Sequence, residues 1–315
     1  MPTLRAGTLP WLICSSSIRW ICNNLRHFDP FANSPLAEDL RHQALAELSL
    51  LCLLLRRDEA IRSLPELAKV MTFVAGLNTN ALFEASLCRW NNAIVPVVIL
   101  AVTLEAYGLT AENDRRVMIQ KALRNTNACI VERVPYRQLE LRHILDAGGF
   151  AHNLPTYREL WSRTLLAQRP NLLFLSDEDV YSITHVLFYV SDFSARKIEF
   201  LAPQEIDYVH DAVCHLVGVY LRRKNWDLVG ELLMAERCLR KTSRFSVMAW
   251  RHLMEAQHPD GRMDGPYLEK LADHERDEEH LFETCYHTTL VSALASAVGR
   301  RRDQPSSAMP LSGSL

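Results

Sequence analysis

Apolar residues recur every three to four positions along most of this chain, and segments in which apolar and polar residues alternate are nearly absent. The first spacing places apolar side chains on one face of a helix, whereas alternation places them on one face of a strand. Glycine is scarce, at 11 of 315 residues, and long stretches are rich in Leu, Ala, Glu and Arg. These residues favour helices. The sequence therefore predicts an all-α protein.

Capping residues and first-turn prolines mark where the helices begin. Ser34-Pro35 predicts a helix that ends at Leu55, and Pro65 opens another that ends near Gly76. Ser176-Asp177-Glu178-Asp179 resembles a capping box and predicts a helix to about Val190. Further helices are predicted over the following ranges: 81–89, 94–106, 111–124, 137–147, 155–168, 203–223, 226–240, 245–256 and 278–299.

Helix starts recur about every 25 residues, which is the length of a helix and its turn. This rhythm fits a closed α/α toroid of helical hairpins or, as the alternative, an open α-solenoid. Closure is favoured because residues 93–104 and 181–189 are apolar around most of the helix circumference, as expected of an inner ring. The predicted toroid comprises residues 35–300. We expect residues 1–34 to form a segment that packs on or beside this core, and residues 301–315 to form a flexible tail.

Charge and cysteine usage limit the partners and the compartment. The chain has 35 Lys and Arg against 37 Asp and Glu, so its charge does not attract nucleic acid or an anionic membrane. The most apolar stretch, residues 92–107, is shorter than the roughly 20 residues that cross a bilayer. The eight cysteines are scattered without a CxxC pair, and serines interrupt the apolar N-terminal segment before a signal peptide could form. We therefore expect a cytoplasmic protein with reduced thiols.

The segment around His185 is the strongest candidate for a functional site. On a helix, Tyr181, His185, Tyr189 and Asp192 would share one face inside an otherwise apolar sequence. Buried polar groups need hydrogen-bond partners, so this stripe faces either a polar network in the core or a wet cavity.

A second group of polar residues occupies the sequence from Asp207 to His215. Asp211 and Cys214 lie on one face of the predicted helix, and His215 follows one position round. Such a face could orient a general base or hold a metal, although the same spacings are common on solvated helices.

Two further segments carry candidate residues. Asp227 and Glu231 lie one turn apart at a helix start, where the helix dipole alone would explain Asp227. Cys285, His287 and Thr288 interrupt an apolar helix. Together with Cys214 and His215 they invite comparison with zinc-dependent lanthionine cyclases, but the glycine-rich motifs around those ligands are absent. The metal-binding and acidic motifs of terpene cyclases and the nucleotide-binding motifs are also absent, so we expect neither a metal nor a cofactor.

Three segments resemble those of a poorly characterised, all-helical actinobacterial family found beside specialised-metabolite genes: Y-x-x-T-H-x-x-F-Y-x-x-D-F from residue 181, W-D-L-x-x-E-L-L from residue 226, and Y-H-T-T-L-V from residue 286. The resemblance covers residues 36–300. It implies that His185, Asp192, Asp227, Glu231 and His287 matter, without assigning a reaction. Ser194 stands where relatives are expected to have glycine.

Two functional hypotheses follow. The first is an enzyme of natural-product biosynthesis that performs cyclisation or elimination in a small-molecule cavity, with His185 and His287 as acid and base and Asp192 orienting a histidine. The predicted substrate-binding residues are Tyr181, Tyr189, Thr288, Asp211, Asp227 and Glu231. The alternative is a non-catalytic accessory subunit that binds a partner enzyme or another copy of itself, for which apolar residues such as Trp11, Trp20 and Phe28 could form the docking surface.

Overall fold

The computed structural model describes residues 8–78, 94–109, 114–125, 129, 131–266 and 277–300. These residues form thirteen α-helices and three short 3-10 turns, and no strand occurs among them, which confirms the all-α prediction. The helices are α1 (Thr8–Asn23), α2 (Glu38–Leu55), α3 (Glu59–Arg62), α4 (Pro65–Asn78), α5 (Ile94–Ala106), α6 (Asp114–Asn125), α7 (Pro135–Gly148), α8 (Tyr157–Trp161), α9 (Asp177–Val190), α10 (Pro203–Arg223), α11 (Trp226–Cys238), α12 (Ser246–Ala256) and α13 (Glu278–Arg300).

The capping box predicted at Ser176 is confirmed. The Asp179 amide donates to Oγ of Ser176 at 3.2 Å, and the Ser176 amide donates to Oδ2 of Asp179 at 2.9 Å. Helix α9 starts there and ends at Val190, as predicted. The helix predicted over residues 81–89, the first three residues of the helix predicted over 111–124 and the tail 301–315 lie outside the described residues.

The single helix predicted over residues 155–168 is wrong. Helix α8 stops at Trp161, and a 3-10 turn follows at Leu166–Gln168. Oγ of Ser162 donates to the Glu159 carbonyl at 2.8 Å, and Oγ1 of Thr164 donates to the Trp161 carbonyl at 2.8 Å. Such short-range side-chain bonds compete with helix continuation.

Helix α1 was not predicted, because three consecutive serines interrupt its apolar sequence. In the structure these serines lie within the helix, and Ser17 is fully buried. Helix α1 packs against α13, α4 and α12. Burial of Ile13, Ile18 and Ile21 in these contacts outweighs the weak helix preference of serine, which amounts to a few tenths of a kcal/mol per residue.

Six helices pack side by side and carry most of the core. Each of them contacts the next in the order α2, α5, α7, α9, α11, α13, and α13 contacts α2. The remaining long helices lie against these six: α10 packs on α11, and α6 packs on α5. None of the described helices combines the length and the apolar character that crossing a bilayer requires.

Candidate functional site

A partly open cavity of about 1090 Å³ is lined by residues from all six of these helices. Its walls are largely aliphatic where α5 and α13 contribute, through residues such as Val95 and Leu294, whereas α2 contributes both aliphatic and polar residues, such as Leu50 and Gln43. Five of the residues predicted as site residues from the sequence line the cavity: Tyr181, His185, Tyr189, Glu231 and His287. The cavity therefore brings together side chains from three separate segments of the sequence.

His185 is held in one orientation by its own helix. Its Nδ1 lies 2.7 Å from the carbonyl oxygen of Tyr181. A carbonyl oxygen only accepts hydrogen bonds, so Nδ1 carries a proton and, in the neutral ring, Nε2 carries the lone pair. Nε2 has no hydrogen-bond partner among the described residues.

Four aromatic rings surround the His185 imidazole. Their centroids lie between 5.5 and 6.4 Å from that of the imidazole, and they belong to Phe188, Tyr189, Tyr136 and Tyr181. Tyr136 is contributed by α7 and the other three by α9. Besides the Tyr181 carbonyl, the polar neighbours of Nδ1 are Oγ1 of Thr184 at 3.4 Å and Oε2 of Glu231 at 3.6 Å.

His287 lies between two carboxylates on different helices. Its Nδ1 is 2.8 Å from Oε2 of Glu47 on α2, and its Nε2 is 3.6 Å from Oδ2 of Asp227 on α11. Burial alone lowers the pKa of His287, but the charges of Glu47 and Asp227 raise it well above its ordinary value. His287 is therefore an imidazolium at neutral pH, and its charge in turn lowers the pKa of Glu47 against the opposing effect of burial.

Asp227 and Glu231 lie one turn apart on α11, and both are almost fully buried. The close approach of α11 to α13 depends on Gly230, since a Cβ there would lie 2.9 Å from Cγ1 of Val291. This approach brings the two carboxylates to His287. A side chain larger than hydrogen at residue 230 would push the two helices apart.

Each of these carboxylates accepts a hydrogen bond from α9. The Tyr181 hydroxyl donates to Oδ2 of Asp227 through a short contact, and Oγ1 of Thr184 makes a similarly short contact with Oε2 of Glu231. Burial raises the pKa of Glu231, and Asp227 raises it further, although His185 acts in the opposite direction. Burial and the neighbouring Asp227 also raise the pKa of Tyr181. Tyr181 therefore acts as a hydrogen-bond donor.

Tyr189 takes part in a second polar group on the side of α7. Its hydroxyl donates to Oε1 of Glu140 at 3.1 Å, and Oε2 of Glu140 lies 2.9 Å from Nη1 of Arg137. Burial and Glu140 raise the pKa of Tyr189 well above its ordinary value. Glu140 and Arg137 both line the cavity and neutralise each other.

Asp192 does not share a face with His185, so the predicted helix geometry is wrong there. Helix α9 ends at Val190, and Asp192, Phe193 and Ser194 have φ values of 50°, 50° and 70°. This left-handed turn directs Asp192 toward two residues outside the cavity lining: its Oδ1 lies 2.7 Å from Nη2 of Arg57 and 2.9 Å from Nε2 of His143. Asp192 thus orients a histidine, but that histidine is the buried His143.

Burial would raise the pKa of Asp192, but His143 and Arg57 together lower it well below its ordinary value. The carboxylate therefore stays ionised and joins the end of α2, helix α7 and the turn after α9. Phe193 of the same turn lines the cavity. Asp192 supports the cavity wall from behind.

Three other predicted features lie away from the cavity. Thr288 is buried on α13 without lining it, and Asp211 on α10 has a side chain that is 77% exposed. Cys214 and His215 lie on the same helix as Asp211, and His215 is exposed. Throughout the described parts of the chain, no group of three or more His, Cys, Asp and Glu side chains has the arrangement of a metal site.

Sequence reasoning missed Glu47, Glu140 and Arg137. Glu47 had a usable signal, because it is the one charged residue in the run from Ala44 to Leu55. A lone carboxylate in such an apolar helix requires a partner. Nothing in the sequence indicated that this partner would be His287, which is 240 residues away.

Comparison with known proteins adds a family without a known activity. A family model described as a domain of unknown function, DUF6895, matches residues 14–297. No curated protein and no solved structure matches the chain.

Proposed function

We propose that this chain, which belongs to the DUF6895 family of unknown function, is a small-molecule enzyme of specialised-metabolite biosynthesis. The proposal comes from its site, which suits acid and base chemistry. One observation carries the proposal: two imidazoles from distant segments, His185 and His287, line the same cavity together with the buried carboxyl group of Glu231. Acidic, basic and charged groups in one water-accessible cavity of this size are typical of active sites.

The cavity is proposed to be the centre of a closed α/α toroid. The cyclic order of contacts among α2, α5, α7, α9, α11 and α13 supports closure over the open α-solenoid, in which the first and last helices of a series do not meet. A ring of this kind surrounds a substrate on all sides. Aliphatic walls would then keep water from a reactive intermediate.

The proposed reaction is an elimination or a cyclisation in which the two histidines have different roles. Nε2 of His185 removes a proton from a substrate carbon, and the electron pair of that C–H bond forms the new double bond. The imidazolium of His287 donates its proton to the departing hydroxyl oxygen, which leaves as water. Both histidines then exchange protons with solvent to restore their starting states.

The neighbouring residues are proposed to position these groups. Glu47 and Asp227 hold His287 in its charged form, and Tyr181 keeps the Asp227 carboxylate in place. Tyr189 and Glu231 would contact the substrate, since both line the cavity. Asp192, Thr288 and Asp211 are assigned no contact with the substrate because they lie outside the lining.

Metabolite profiling of a strain in which the gene is deleted tests the proposal. We expect an intermediate to accumulate, and the gene for wild-type protein to restore the product. The His185→Ala variant should restore less than about one hundredth of the wild-type turnover while remaining folded, because positioned acid–base groups contribute at least that factor.

His215→Ala is the matched control. Nδ1 of His215 makes the same contact with the carbonyl four residues earlier, at 2.7 Å, but its ring is exposed on α10. This variant should behave as wild type. Full turnover by a folded His185→Ala protein would disprove the catalytic role.

The docking surface predicted from Trp11, Trp20 and Phe28 is wrong, because Trp20 and Phe28 are buried and Trp11 packs against the core. A different feature favours the alternative function, a non-catalytic accessory subunit. Leu173 and Phe174 in the 3-10 turn before α9 are 88% and 83% exposed. Exposed pairs of large apolar residues are typical of contacts with a partner enzyme or a second copy. If the accessory function is correct, Leu173→Ser with Phe174→Ser should abolish complementation of the deletion strain, whereas His185→Ala should not.

We place this function in the cytoplasm. The seven cysteines among the described residues are all free, and burial raises the pKa of the Cys14 and Cys52 thiols to about 12. Unpaired, protonated thiols are typical of a reducing compartment.

A further inference from the structure

The polar groups around His287 include more negative than positive charge. Glu47 is matched by the His287 imidazolium at 2.8 Å. Among the described residues, the one positively charged neighbour of Asp227 is the more distant Nε2 of the same ring, at 3.6 Å. Oδ1 of Asp227 is buried and has no hydrogen-bond partner within the described chain. One imidazolium thus faces two carboxylates before Glu231 is considered.

Glu231 adds a third carboxyl group with unused hydrogen-bonding capacity. It is 2% exposed and lines the cavity. All of its recorded contacts, with Thr184 and His185, use Oε2. Oε1 has no hydrogen-bond partner within the described residues and, unlike Oδ1 of Asp227, is not fully buried, so it is available to a ligand in the cavity.

The positively charged residues of the cavity lining do not supply the missing charge. Arg137 is half-exposed and paired with Glu140 at 2.9 Å. Arg133 precedes α7, and its Nη1 donates to the carbonyl oxygen of Val131 at 3.4 Å. Burial lowers the pKa of His42, and Glu38 offsets this effect only in part. The His42 imidazole is therefore neutral at pH 7.

The surroundings of Glu231 also suit a positively charged group. The rings of Tyr136, Tyr181, Phe188 and Tyr189 lie around His185, whose Nδ1 is 3.6 Å from Glu231. Aromatic faces attract organic cations. The aliphatic side chains of α2, α5 and α13 provide an apolar surface for the rest of such a molecule.

We infer that the ligand of this cavity is an organic cation: an amine or ammonium group carried on an apolar body, with its positive charge beside Oε1 of Glu231. The inference rests on the proposed function, because it assumes that the cavity binds a small molecule. It goes beyond that function by naming the chemical class. The positive charge of the ligand would neutralise the excess negative charge of Glu47, Asp227 and Glu231. The catalytic histidines would keep their positions.

Three probes with one apolar body test the inference: 3-phenylpropylamine, 3-phenylpropanol and 3-phenylpropanoate. They are positively charged, neutral and negatively charged at pH 7. Dissociation constants of the full-length protein are measured by calorimetry, and the ring signals of labelled His185 and His287 report binding in the cavity. We expect the amine to bind at least about tenfold more tightly than the alcohol, and the carboxylate to bind most weakly.

A cation beside Glu231 favours the ionised carboxylate and so opposes the effect of burial. Glu231→Gln removes this carboxylate with little change in shape, and Glu255→Gln is its matched control. Glu255 lies on α12 and its side chain is 60% exposed. We expect the preference for the amine over the alcohol to fall below about threefold in Glu231→Gln and to be unchanged in Glu255→Gln. If Glu231→Gln does not fold, Asp227→Asn removes the neighbouring negative charge, and the preference for the amine should fall by a smaller factor; an unchanged preference would overturn the inference.

The outcomes separate this inference from the proposed function. Equal binding of amine and alcohol by the wild-type protein would overturn the inference and leave a neutral small-molecule site. Tighter binding of the carboxylate, or no binding of any probe up to about 10 mM, would also overturn it. The proposed function itself fails on a different result, namely full turnover by the His185→Ala protein.

Discussion

Nδ1 of His185 lies 2.7 Å from the carbonyl oxygen of Tyr181, one turn earlier in α9. This single contact decides which ring nitrogen can act as a base, since the carbonyl can only accept a hydrogen bond. The helix itself thus orients the imidazole and leaves Nε2 free. A hydrogen bond from one ring nitrogen to a backbone carbonyl or a carboxylate fixes the tautomer of a histidine in this way.

The first prediction concerns this protonation state. Nitrogen NMR of labelled histidine should show the neutral His185 ring with its proton on Nδ1, although neutral histidine in water favours the proton on Nε2. His215, which makes the same contact on the protein surface, is an internal reference for the signal. A proton on Nε2 of neutral His185 would show that the contact with Tyr181 is absent in solution.

The second prediction follows from the raised pKa of His287. A group whose pKa is higher in the folded than in the unfolded protein stabilises the fold below the unfolded pKa, here about 6.5, and loses that contribution as pH rises through the folded pKa. The difference in free energy of unfolding between wild type and His287→Gln should therefore be larger at about pH 6 than at about pH 10.

His215→Gln is the control, because its imidazole is exposed. Its difference from wild type should stay near zero at both pH values. Chemical denaturation at the two pH values provides the measurement. A His287→Gln difference that is constant or grows toward alkaline pH would contradict the charged state assigned to His287.

The third prediction separates a supporting residue from a catalytic one. Asp192→Ala leaves Arg57 and His143 without their shared acceptor, and we expect it to lower the free energy of unfolding by about 3 kcal/mol. Asp211→Ala, on the exposed face of α10, should change it by less than about 0.5 kcal/mol. Denaturant titration of both variants measures the difference.

The lowered pKa of Asp192 adds a pH dependence to this effect. The contribution of Asp192 should be complete above the unfolded pKa of about 3.9 and should disappear as pH falls through the folded value. Near-equal stability of wild type and Asp192→Ala at neutral pH would contradict the supporting role.

The fourth prediction concerns the turn after α9. Ser194 has a φ of 70°, which favours glycine, and its hydroxyl makes no hydrogen bond with any described residue. Ser194→Gly should raise the free energy of unfolding by about 0.5 to 1 kcal/mol, because it removes the strain of a left-handed residue. The strain also gives a physical reason to expect glycine at this position in relatives.

Ser162→Gly is the comparison for this change. Ser162 follows α8 with a φ of −59°, where glycine relieves no strain and increases the freedom of the unfolded chain. The free energy of unfolding of this variant should be equal to or lower than that of wild type. An unchanged or lower stability of Ser194→Gly would count against the left-handed turn.

The periodicity of the sequence determined the helices, because helix formation depends on residues only three or four positions apart. The capping box at Ser176 and the placement of Asp227 and Glu231 on one face of α11 could therefore be predicted from the sequence. Helix α1 was not predicted because its stability comes from the burial of apolar residues such as Ile13 and Ile18, despite its serines. Part of this burial is provided by α13, which is more than 250 residues away in the sequence.

The site itself was decided by tertiary structure. His185 and His287 could be chosen as candidates from their apolar surroundings, but their partners could not. Glu47 approaches His287 across 240 residues, and Asp192 was redirected to His143 by a turn that no helical spacing describes. Contacts between distant segments depend on how helices pack, and the spacing of residues within each helix carries no information about which helices will be neighbours.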